Sequence, residues 1–351
     1  FRVLDLCLEC KACKSECPSQ VDMAKLKYEF LDAYYRKHGY PLRTRLFAHI
    51  AALSRLGCAL APLSNWVLRS PLVRWAMDHL LKIDRRRPLP PFARQTFPHW
   101  FGSRKASATP GHRGQVVLFN DTFMSYNYPS VGVAATRLLE QAGFQVTLVD
   151  RKCCGRPMIS KGMLEEARAN ARYNVEMLYP HVERGAYIVG CEPSCLLTLR
   201  DEYPDLLGSQ EARKVADRAM MLEEFLQMLQ QEGRLDLEFR YTPRKVLFHG
   251  HCHARALVGM EPALAALRMV PGLEVEESRA GCCGMAGAFG YEREHYDISM
   301  AIGGQRLFPA VSSMDAEAEI VVTGASCRQQ VQHGTGRLPK HLAEVLAEAL
   351  A

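Results

Sequence analysis

The sequence lacks a long apolar run. Its nearest approach, residues 47–63, is interrupted by Arg55 and ended by Pro62, whereas a membrane-spanning helix needs about 20 predominantly apolar residues. No G-x-G-x-x-G follows a predicted strand, and no G-x-x-x-x-G-K-[ST], G-x-S-x-G or H-E-x-x-H is present. These absences remove the familiar phosphate loops, the nucleophile elbow and the zinc-protease helix. We therefore expect neither a dinucleotide site of that kind nor a hydrolase.

Acidic residues are scarce in the first third of the chain. Residues 1–110 hold 19 Lys and Arg against 8 Asp and Glu, whereas the rest of the 351 residues holds 25 against 30. The basic region shows no recognisable nucleic-acid-binding motif. We expect no nucleic-acid partner.

Residues 42–87 combine apolar residues at mixed helical spacing with many arginines. One interpretation is a helical hairpin that packs on another domain and leaves its arginines in water. The other is a segment that lies on an anionic membrane surface. We favour packing, so we expect a cytoplasmic protein, with peripheral contact to the inner face of the membrane as the alternative.

Cysteine, in contrast, is abundant, with 13 residues and no signal peptide, which favours metal ligation in a reducing compartment over disulfides. Four of them, followed at once by Pro18, have the spacing C-x2-C-x2-C-x3-C-P that is typical of iron–sulfur proteins. Zinc is the nearest alternative. The fourth cysteine of such a run can ligate a second cluster. The sequence therefore does not decide whether Cys17 shares a cluster with the other three cysteines. The run consists of Cys7, Cys10, Cys13 and Cys17.

The chain begins with Phe1, and its first cysteine motif follows within a few residues. We therefore expect that sequence upstream has been removed.

Four segments are predicted from composition and periodicity. Residues 1–87 form a helical, ferredoxin-like iron–sulfur domain, in which residues 22–40 are a helix, and residues 88–114 form a linker rich in Pro, Gly and Ser. Residues 115–240 and 241–351 are two α/β repeats, the second ending in a capping helix over residues 339–351. The fold class is thus α plus α/β, with mainly parallel sheets.

The two repeats show the same order of strands, helices and cysteines, and their Cys-Cys-Gly motifs lie 129 residues apart, which indicates a duplicated unit. In the first repeat we predict strands 116–120, 145–149 and 186–189 and helices 131–142 and 164–178. In the second we predict strands 246–248 and 320–322, helices 257–269 and 296–308, and a further segment of unassigned type around 273–275. Cysteines after strand ends would lie where open α/β sheets bind ligands.

Each repeat offers four thiols. Adjacent cysteines do not readily form a disulfide with each other, but they can share a metal cluster, and the glycine that follows, Gly155 or Gly284, lets backbone amides approach sulfur. A pair of redox-active thiols is the alternative. The first set is Cys153, Cys154, Cys191 and Cys195, and the second is Cys252, Cys282, Cys283 and Cys327.

Several neighbours of these cysteines have roles that the motifs leave open. If His249, His251 and His253 lie on a strand, they share one face and Cys252 points to the other, so hydrogen bonding is favoured over metal ligation. Glu192 and Arg156 lie beside cysteines, where their charges would affect the electric field at a cluster. The alternative for Glu192 is that its carboxylate caps the next helix. The remaining thiol, Cys58, and the residues at positions 220–228 are expected in the core.

The cysteine pattern resembles the cysteine-rich domain shared by a subunit of heterodisulfide reductase, the glycolate oxidase iron–sulfur subunit and the small subunit of anaerobic glycerol-3-phosphate dehydrogenase. The motifs Cys-Leu-x-Cys-Lys-Ala-Cys, residues 7–13, and Glu-Pro-Ser-Cys, residues 192–195, are most similar to the C-terminal parts of fused FAD-linked oxidases of D-2-hydroxy acids. That resemblance implies [4Fe–4S] clusters on all twelve motif cysteines, and FAD on a preceding domain or partner rather than on this chain.

Three departures from the family pattern stand out. Asp121-Thr122 occupies the position of the leading cysteine in the first repeat, the first repeat ends C-x3-C, and the second ends with Cys327 alone. Each half then has four thiolates, which suits an ordinary [4Fe–4S] cube rather than the five-thiolate cluster of the reductase relatives.

The sequence thus predicts the electron-transfer portion of an FAD-dependent dehydrogenase of D-lactate, glycolate or D-2-hydroxyglutarate, which passes electrons to a quinone, cytochrome or soluble carrier. The alternatives are a thiol–disulfide catalyst of the heterodisulfide reductase type and a zinc-bound scaffold. No catalytic residue is assigned, and the hydroxy acid and the acceptor are left open.

Overall fold

The fold is taken from a computed structural model that describes residues 1–105 and 111–351. The predicted linker, residues 88–114, is only partly covered, because its residues 106–110 lie outside the described residues. Its described part includes a helix, α8 (Phe97–Ser103), whose Phe97 is fully buried. This stretch is therefore packed structure for at least part of its length.

The N-terminal region is helical, as predicted, whereas its likeness to a ferredoxin stays a prediction. The main helix, α3, begins where the Asp22 carboxylate accepts a hydrogen bond from the Lys25 N–H at 3.0 Å, and it ends at Gly39 with φ of 79°, a conformation that favours glycine. The helices of this region are α1 (Arg2–Asp5), α2 (Ala12–Glu16), α3 (Met23–His38), α4 (Leu42–Ala48), α5 (Ile50–Ala59), α6 (Leu63–Arg69) and α7 (Pro71–Leu81).

The first repeat is a four-stranded α/β unit. Its strands are β1 (Gln115–Leu118), β2 (Gln145–Thr147), β3 (Tyr187–Gly190) and β4 (Ala219–Met221). Its helices are α9 (Thr122–Tyr126), α10 (Pro129–Gln141), α11 (Arg156–Ile159), α12 (Leu164–Glu183), α13 (Pro193–Asp201), α14 (Tyr203–Leu207), α15 (Gln210–Asp217) and α16 (Leu222–Gln231).

The second repeat has the same plan. Its strands are β5 (Arg244–His249), β6 (Leu273–Glu277), β7 (Glu319–Val322) and β8 (Lys340–His341). Its helices are α17 (Cys252–Leu257), α18 (Glu261–Arg268), α19 (Tyr296–Gln305), α20 (Leu307–Ser312), α21 (Ala325–Thr335) and α22 (Leu342–Glu348), with a 3-10 turn at Phe289–Tyr291.

The two sheets are parallel and have equivalent strand orders, β2-β1-β3-β4 and β6-β5-β7-β8. Val117 pairs with Ile188 in the first sheet, and Leu247 pairs with Ile320 in the second. In both sheets the first strand is central. The second strand lies on one side of it, and the third and fourth strands lie on the other side. Such a switch point opens a crevice at the carboxyl ends of the strands, so this edge is where the fold positions its functional groups.

One hydrophobic core joins the repeats. Val116 and Leu118 of β1, Phe248 of β5 and Val321 of β7 belong to the same buried cluster, to which α10, α16, α18 and α22 contribute. The inner strands β1, β3, β5 and β7 contain runs of three or four consecutive buried residues, because both faces of each sheet are covered.

Most predicted strands and helices are present, with local differences. The sequence missed β4 and β8, which are only 3 and 2 residues long. The helix predicted over 257–269 corresponds to the shorter α18 (Glu261–Arg268), and α17 (Cys252–Leu257), which was not predicted, precedes it. The strand containing the histidines ends at His249, so the alternation argument for His251 and His253 was wrong. None of the helices in residues 1–105 and 111–351 is long and apolar enough to cross a membrane.

Candidate metal centres

The second repeat gathers its four predicted thiols at the carboxyl edge of the sheet. Cys252 is the first residue of α17 after β5, the Cys282-Cys283 pair follows β6, and Cys327 lies in the first turn of α21 after β7. The thiols interact in series, Cys252 with Cys282, Cys282 with Cys283, and Cys283 with Cys327. The segments that follow three neighbouring strands therefore bring four thiols together at one site.

The glycine after the pair is required by the geometry. Gly284 has φ of 90°, and its N–H donates to the Cys282 sulfur at 3.4 Å. A Cβ at this position would collide with the carbonyl oxygen of Ser299. The backbone thus approaches sulfur in a conformation that an L side chain rarely adopts.

The first repeat gathers only three of its four predicted thiols. Cys153 interacts with Cys154, and Cys154 with Cys195. Thr122, the first residue of α9 after β1, takes the place that Cys252 has in the second repeat, and its hydroxyl lies 4.0 Å from the Cys153 sulfur. The Arg156 N–H donates to the Cys154 sulfur at 3.5 Å, after Gly155 with φ of 89°.

The structure does not bring Cys191 to this set. Its side chain packs in the core between the repeats, whereas Cys153, Cys154 and Cys195 belong to a separate cluster on the other side of the sheet. Its electrostatic neighbours are Glu223, Asp121 and Glu192. Cys191 directly follows β3, where its counterpart after β7 is Thr323.

The N-terminal loop places its first three cysteines together. Cys10 is near Cys13 and Cys7, and backbone N–H groups of Glu9 and Met23 donate to the sulfurs of Cys7 at 3.5 Å and Cys13 at 3.3 Å. Burial raises the pKa of Cys10, and the nearby Cys252 raises it further. The loop therefore abuts the cysteine set of the second repeat.

Cys17 stands apart from this loop. Its thiol is close to the backbone N–H groups of residues 19–21, which lower the pKa of Cys17, and no cysteine of the described residues contributes to that shift. The motif left open whether Cys17 shares a cluster with Cys7, Cys10 and Cys13, and the structure does not place its thiol beside theirs.

A cavity of about 340 Å³ lies where the N-terminal region and the two repeats meet. Thiols from all three segments line it, namely Cys7, Cys195, Cys252, Cys282 and Cys283. Within residues 1–105 and 111–351, no three His, Cys, Asp or Glu side chains are arranged to hold a single metal ion. Cysteine thiolates are the usual ligands of iron–sulfur clusters, and this cavity brings five cysteines together.

A buried ionic network fixes the N-terminal loop to the first repeat. The Arg156 guanidinium contacts the carboxylates of Glu9 and, at 2.6 Å, Glu202, and Glu202 also contacts the ammonium of Lys11. Burial opposes the charge of Arg156, but Glu202 and Glu9 hold the pKa of Arg156 above its ordinary value. Removing one partner would leave an uncompensated buried charge, so the loop is held rigidly.

The three histidines act as hydrogen-bonding groups. Burial lowers the pKa of His249 to about 3 and that of His251 to about 4, so both are neutral. His251 caps α17 by accepting the His253 N–H at 3.1 Å, and His253 Nε2 donates to the Glu9 carbonyl at 2.8 Å. The favoured interpretation, hydrogen bonding around Cys252, agrees with these contacts.

Glu192 connects the two repeats, which the sequence did not reveal. Its carboxylate accepts from Ser194, as the predicted cap of α13, and also from the Ala325 N–H of α21 at 2.7 Å. Burial, with Asp121 nearby, raises the pKa of Glu192 to about 7. Ala325 lies two residues before Cys327, so Glu192 orients the helix that carries this thiol.

As predicted, Cys58, Met221 and Phe225 are buried.

This chain matches a known protein family and known proteins whose sequences can be aligned with it. The family described as "CCG: Cysteine-rich domain" matches residues 118–200 and 246–332. A subunit of anaerobic glycerol-3-phosphate dehydrogenase from Escherichia coli (strain K12) is 33% identical over 313 residues, which are 88% of this chain and 78% of that protein.

Two further relatives differ in length. D-2-hydroxyglutarate dehydrogenase of Escherichia coli (strain K12) is 28% identical over 355 residues, which are 98% of this chain but 34% of the relative. Lactate utilization protein A of Exiguobacterium sp. is 30% identical over 257 residues, or 67% of this chain and 98% of the relative. The chain thus spans about a third of the hydroxyglutarate dehydrogenase and nearly all of the lactate utilization protein.

Fold and thiols define a protein with duplicated cysteine-rich α/β units, with relatives among dehydrogenases and their subunits. The chain belongs to the CCG cysteine-rich domain family, together with the related subunit of anaerobic glycerol-3-phosphate dehydrogenase. The resemblance predicted from the cysteine motifs is confirmed, and an oxidoreductase-related role for the chain is supported.

Proposed function

We propose that this chain is the iron–sulfur electron-transfer portion of an FAD-dependent dehydrogenase of D-2-hydroxy acids. The observation that carries the proposal is the meeting of three thiol-bearing segments at one cavity, with Cys10 beside Cys252. Bound clusters would accept and pass on single electrons.

We assign a [4Fe–4S] cluster to Cys252, Cys282, Cys283 and Cys327, because these thiols form a complete set and three of them line the cavity. A second cluster would use Cys7, Cys10 and Cys13, with Cys17 serving a different cluster. The Gly284 and Met23 N–H groups donate to sulfurs of the two sets, and such hydrogen bonds favour the charged, cluster-binding form of sulfur.

The first repeat is proposed to bind no [4Fe–4S] cube. It presents three thiols and the Thr122 hydroxyl, and Cys153 and Cys154 pack among the aliphatic side chains of the core. In this proposal, these thiols behave as small buried hydrophobic groups. The role of the first repeat is then to hold the N-terminal loop through Arg156.

The partner is proposed to be a flavin-binding dehydrogenase domain or subunit, with FAD outside this chain. D-lactate, glycolate and D-2-hydroxyglutarate are the candidate substrates of that partner, and the names of two relatives contain lactate or D-2-hydroxyglutarate. A quinone, a cytochrome or a soluble carrier would receive the electrons.

The thiol–disulfide alternative gains no support from the thiols. Hydrogen bonding to Cys154 together with burial raises the pKa of Cys153, and hydrogen bonding to Cys282 together with burial raises that of Cys252. A nucleophilic cysteine needs the opposite shift and access for its substrate. The zinc scaffold lacks a single-ion site among the described residues.

The test of cluster binding is anaerobic reconstitution of the whole chain with iron and sulfide. We expect broad visible absorbance that is bleached by dithionite, no zinc, and a paramagnetic signal split by magnetic interaction between two neighbouring clusters. A chain that binds zinc in preference to iron, or whose iron cannot be reduced, overturns the electron-transfer proposal.

The flavin partner and its substrate need a separate experiment. A tag on this chain should recover FAD together with an activity that oxidises a D-2-hydroxy acid, and sn-glycerol 3-phosphate is the contrasting substrate. Recovery of activity on glycerol 3-phosphate alone would contradict the substrate class and leave the cluster assignment intact.

A further inference from the structure

Many of the exposed large hydrophobic residues of the described chain lie on the N-terminal helices. Of the 19 large hydrophobic residues that are exposed in the described chain, nine fall within residues 53–80, so they are concentrated in one short stretch. We call these nine the apolar face. It consists of Leu53, Leu56, Leu60, Leu63, Trp66, Val67, Leu72, Trp75 and Leu80.

The spacing shows that the exposure is organised by helix. On α5 and its C-cap, Leu53, Leu56 and Leu60 follow the i, i+3, i+7 spacing of one face, and on α6 Leu63, Trp66 and Val67 follow the i, i+3, i+4 spacing of one face. Trp66 is 71% exposed and Leu56 is 58% exposed. Scattered surface leucines are ordinary, but an organised apolar surface marks a binding site.

The opposite sides of the same helices are packed, so the apolar face is presented by a fixed scaffold. Cys58 on α5 is buried and donates to the Tyr126 carbonyl at 3.1 Å. Met77 and Leu81 on α7 pack on the core that contains Cys283. The predicted packing of this hairpin is therefore present on its inner side, while its outer side is left to solvent.

The charges around the apolar face have one sign. Residues 42–82 contain six Lys and Arg but a single acidic residue, Asp78. Asp78 is buried, and Arg293 and Arg85 lie 3.5 Å and 3.8 Å from its carboxylate. Arg55 and Arg69, in contrast, are exposed on α5 and α6. The binding partner of this surface must offer an apolar layer next to negative charge.

An anionic lipid bilayer provides both layers. Leucines enter the acyl boundary, tryptophans prefer the headgroup level, and arginines stay at the anionic surface. We propose that residues 50–81 are an in-plane docking surface for an anionic membrane. This inference does not depend on the electron-transfer proposal.

The test is flotation of the purified, cluster-loaded chain with vesicles of phosphatidylcholine alone or with phosphatidylglycerol added. We expect binding that needs the anionic lipid, weakens in high salt, and shifts the tryptophan emission to the blue. The triple variant Leu56→Ser, Leu60→Ser, Trp66→Ser should bind at least about tenfold more weakly, and Arg55→Glu with Arg69→Glu should lose the preference for anionic lipid.

Matched controls come from other parts of the surface. Tyr241 and Leu338 are 73% and 66% exposed, so Tyr241→Ser and Leu338→Ser remove comparable apolar surface and should leave vesicle binding unchanged. Equal binding by the triple variant, or no binding by the parent chain, overturns the proposal. So does a dimer or a protein complex that the triple variant abolishes in the absence of lipid, because a protein would then cover the face.

Discussion

The two cysteine-rich repeats share strand order, motif spacing and helix positions, yet they differ at the one residue that begins the helix after the first strand. The second repeat has Cys252 there, and the first has Thr122. They differ again after the third strand, where the first repeat has Cys191 and the second has Thr323. Each repeat therefore has four thiols, but the thiols occupy different positions in the two repeats.

The two repeats have kept the same scaffold but not the same set of thiols. Both repeats keep the glycine after the cysteine pair and the thiol on the helix after the third strand, Cys195 or Cys327. Only the second repeat converges on four thiols. The first repeat instead provides Arg156, which ties the N-terminal loop to the fold.

The largest expected effect is loss of the cluster of the second repeat. Cys283→Ser should lower the iron content by about four atoms per chain, because a cube needs its four thiolates. Cys154→Ser, the equivalent change in the first repeat, should leave the iron content unchanged. Iron and acid-labile sulfide analysis measures both.

Cys58→Ser is the control for these cysteine changes. Cys58 is buried and donates a hydrogen bond, which serine can replace, and it lies outside every thiol set. Full iron content in Cys283→Ser, or an equal loss in Cys154→Ser, would refute the asymmetry of the repeats.

A gain-of-function variant tests whether one missing thiol explains the difference between the repeats. Thr122→Cys gives the first repeat the residue that the second has, at a position 4.0 Å from the Cys153 sulfur. If the missing ligand is what separates the repeats, iron content should rise by up to about four atoms per chain. Thr136→Cys, also buried but bonded to Gly132 within α10, should bind no extra iron. If the Thr122→Cys chain binds no more iron than the parent chain, the first repeat lacks space for a cluster rather than a ligand.

The glycines after the two cysteine pairs should respond unequally to alanine. Both have φ near 90°, so alanine costs about 1–2 kcal/mol of backbone strain at either position. At Gly155 a Cβ meets Ala167 at 3.5 Å, an ordinary contact, but at Gly284 it collides with the Ser299 carbonyl. Gly284→Ala should therefore lose about 1–3 kcal/mol more stability. Denaturant unfolding measures the difference, and equal losses would contradict it.

The last expected effect concerns the pH dependence of stability and a buried carboxyl group that only the first repeat has. Glu223 is the second residue of α16, where α22 has Ala343. Burial raises the pKa of Glu223 to about 8, and its Oε2 has no hydrogen-bond partner among the described residues.

The sign of the pH dependence follows from that shift. Between the unfolded value of about 4.5 and about 8, the folded state binds more protons, so stability should fall as the pH rises through this window. Glu223→Gln should reduce this fall by on the order of a few kcal/mol, whereas Glu211→Gln, at an exposed position, should not change it. A fall of the same size in the Glu223→Gln chain would contradict the assignment to this carboxyl group.

Much of the fold could be predicted from alternation and repetition. Strong strands such as β1 and β5 are apolar runs, and α3 is bounded by Asp22 and Gly39. The edge strands β4 and β8 could not be found, because 2 or 3 residues carry no periodic signal. The positions of His251 and His253 were also missed: the strand ends at His249, and His251 uses its ring nitrogen to cap α17.

The candidate site was predicted in its residue types but not in its groupings. Cys191 has the spacing of a ligand but points into the core between the repeats, since the path of the backbone after a strand decides which face a side chain takes. Glu192 caps its own helix, as its sequence position indicates, yet its contact with Ala325 spans 133 positions. No local pattern contains such a contact.

The order of residues along the chain is enough to predict the parts: cysteines in ligand-like motifs, two copies of one α/β unit, and a basic N-terminal region whose apolar residues repeat with helical spacing. These follow from short-range rules of periodicity and capping. Only the tertiary structure decided which thiols meet, that Cys10 lies beside Cys252, and which side of the N-terminal helices is left uncovered. The reason is that these contacts join distant segments, as Lys11 and Glu202 do across 191 positions, and only the packing of the two sheets brings such segments together.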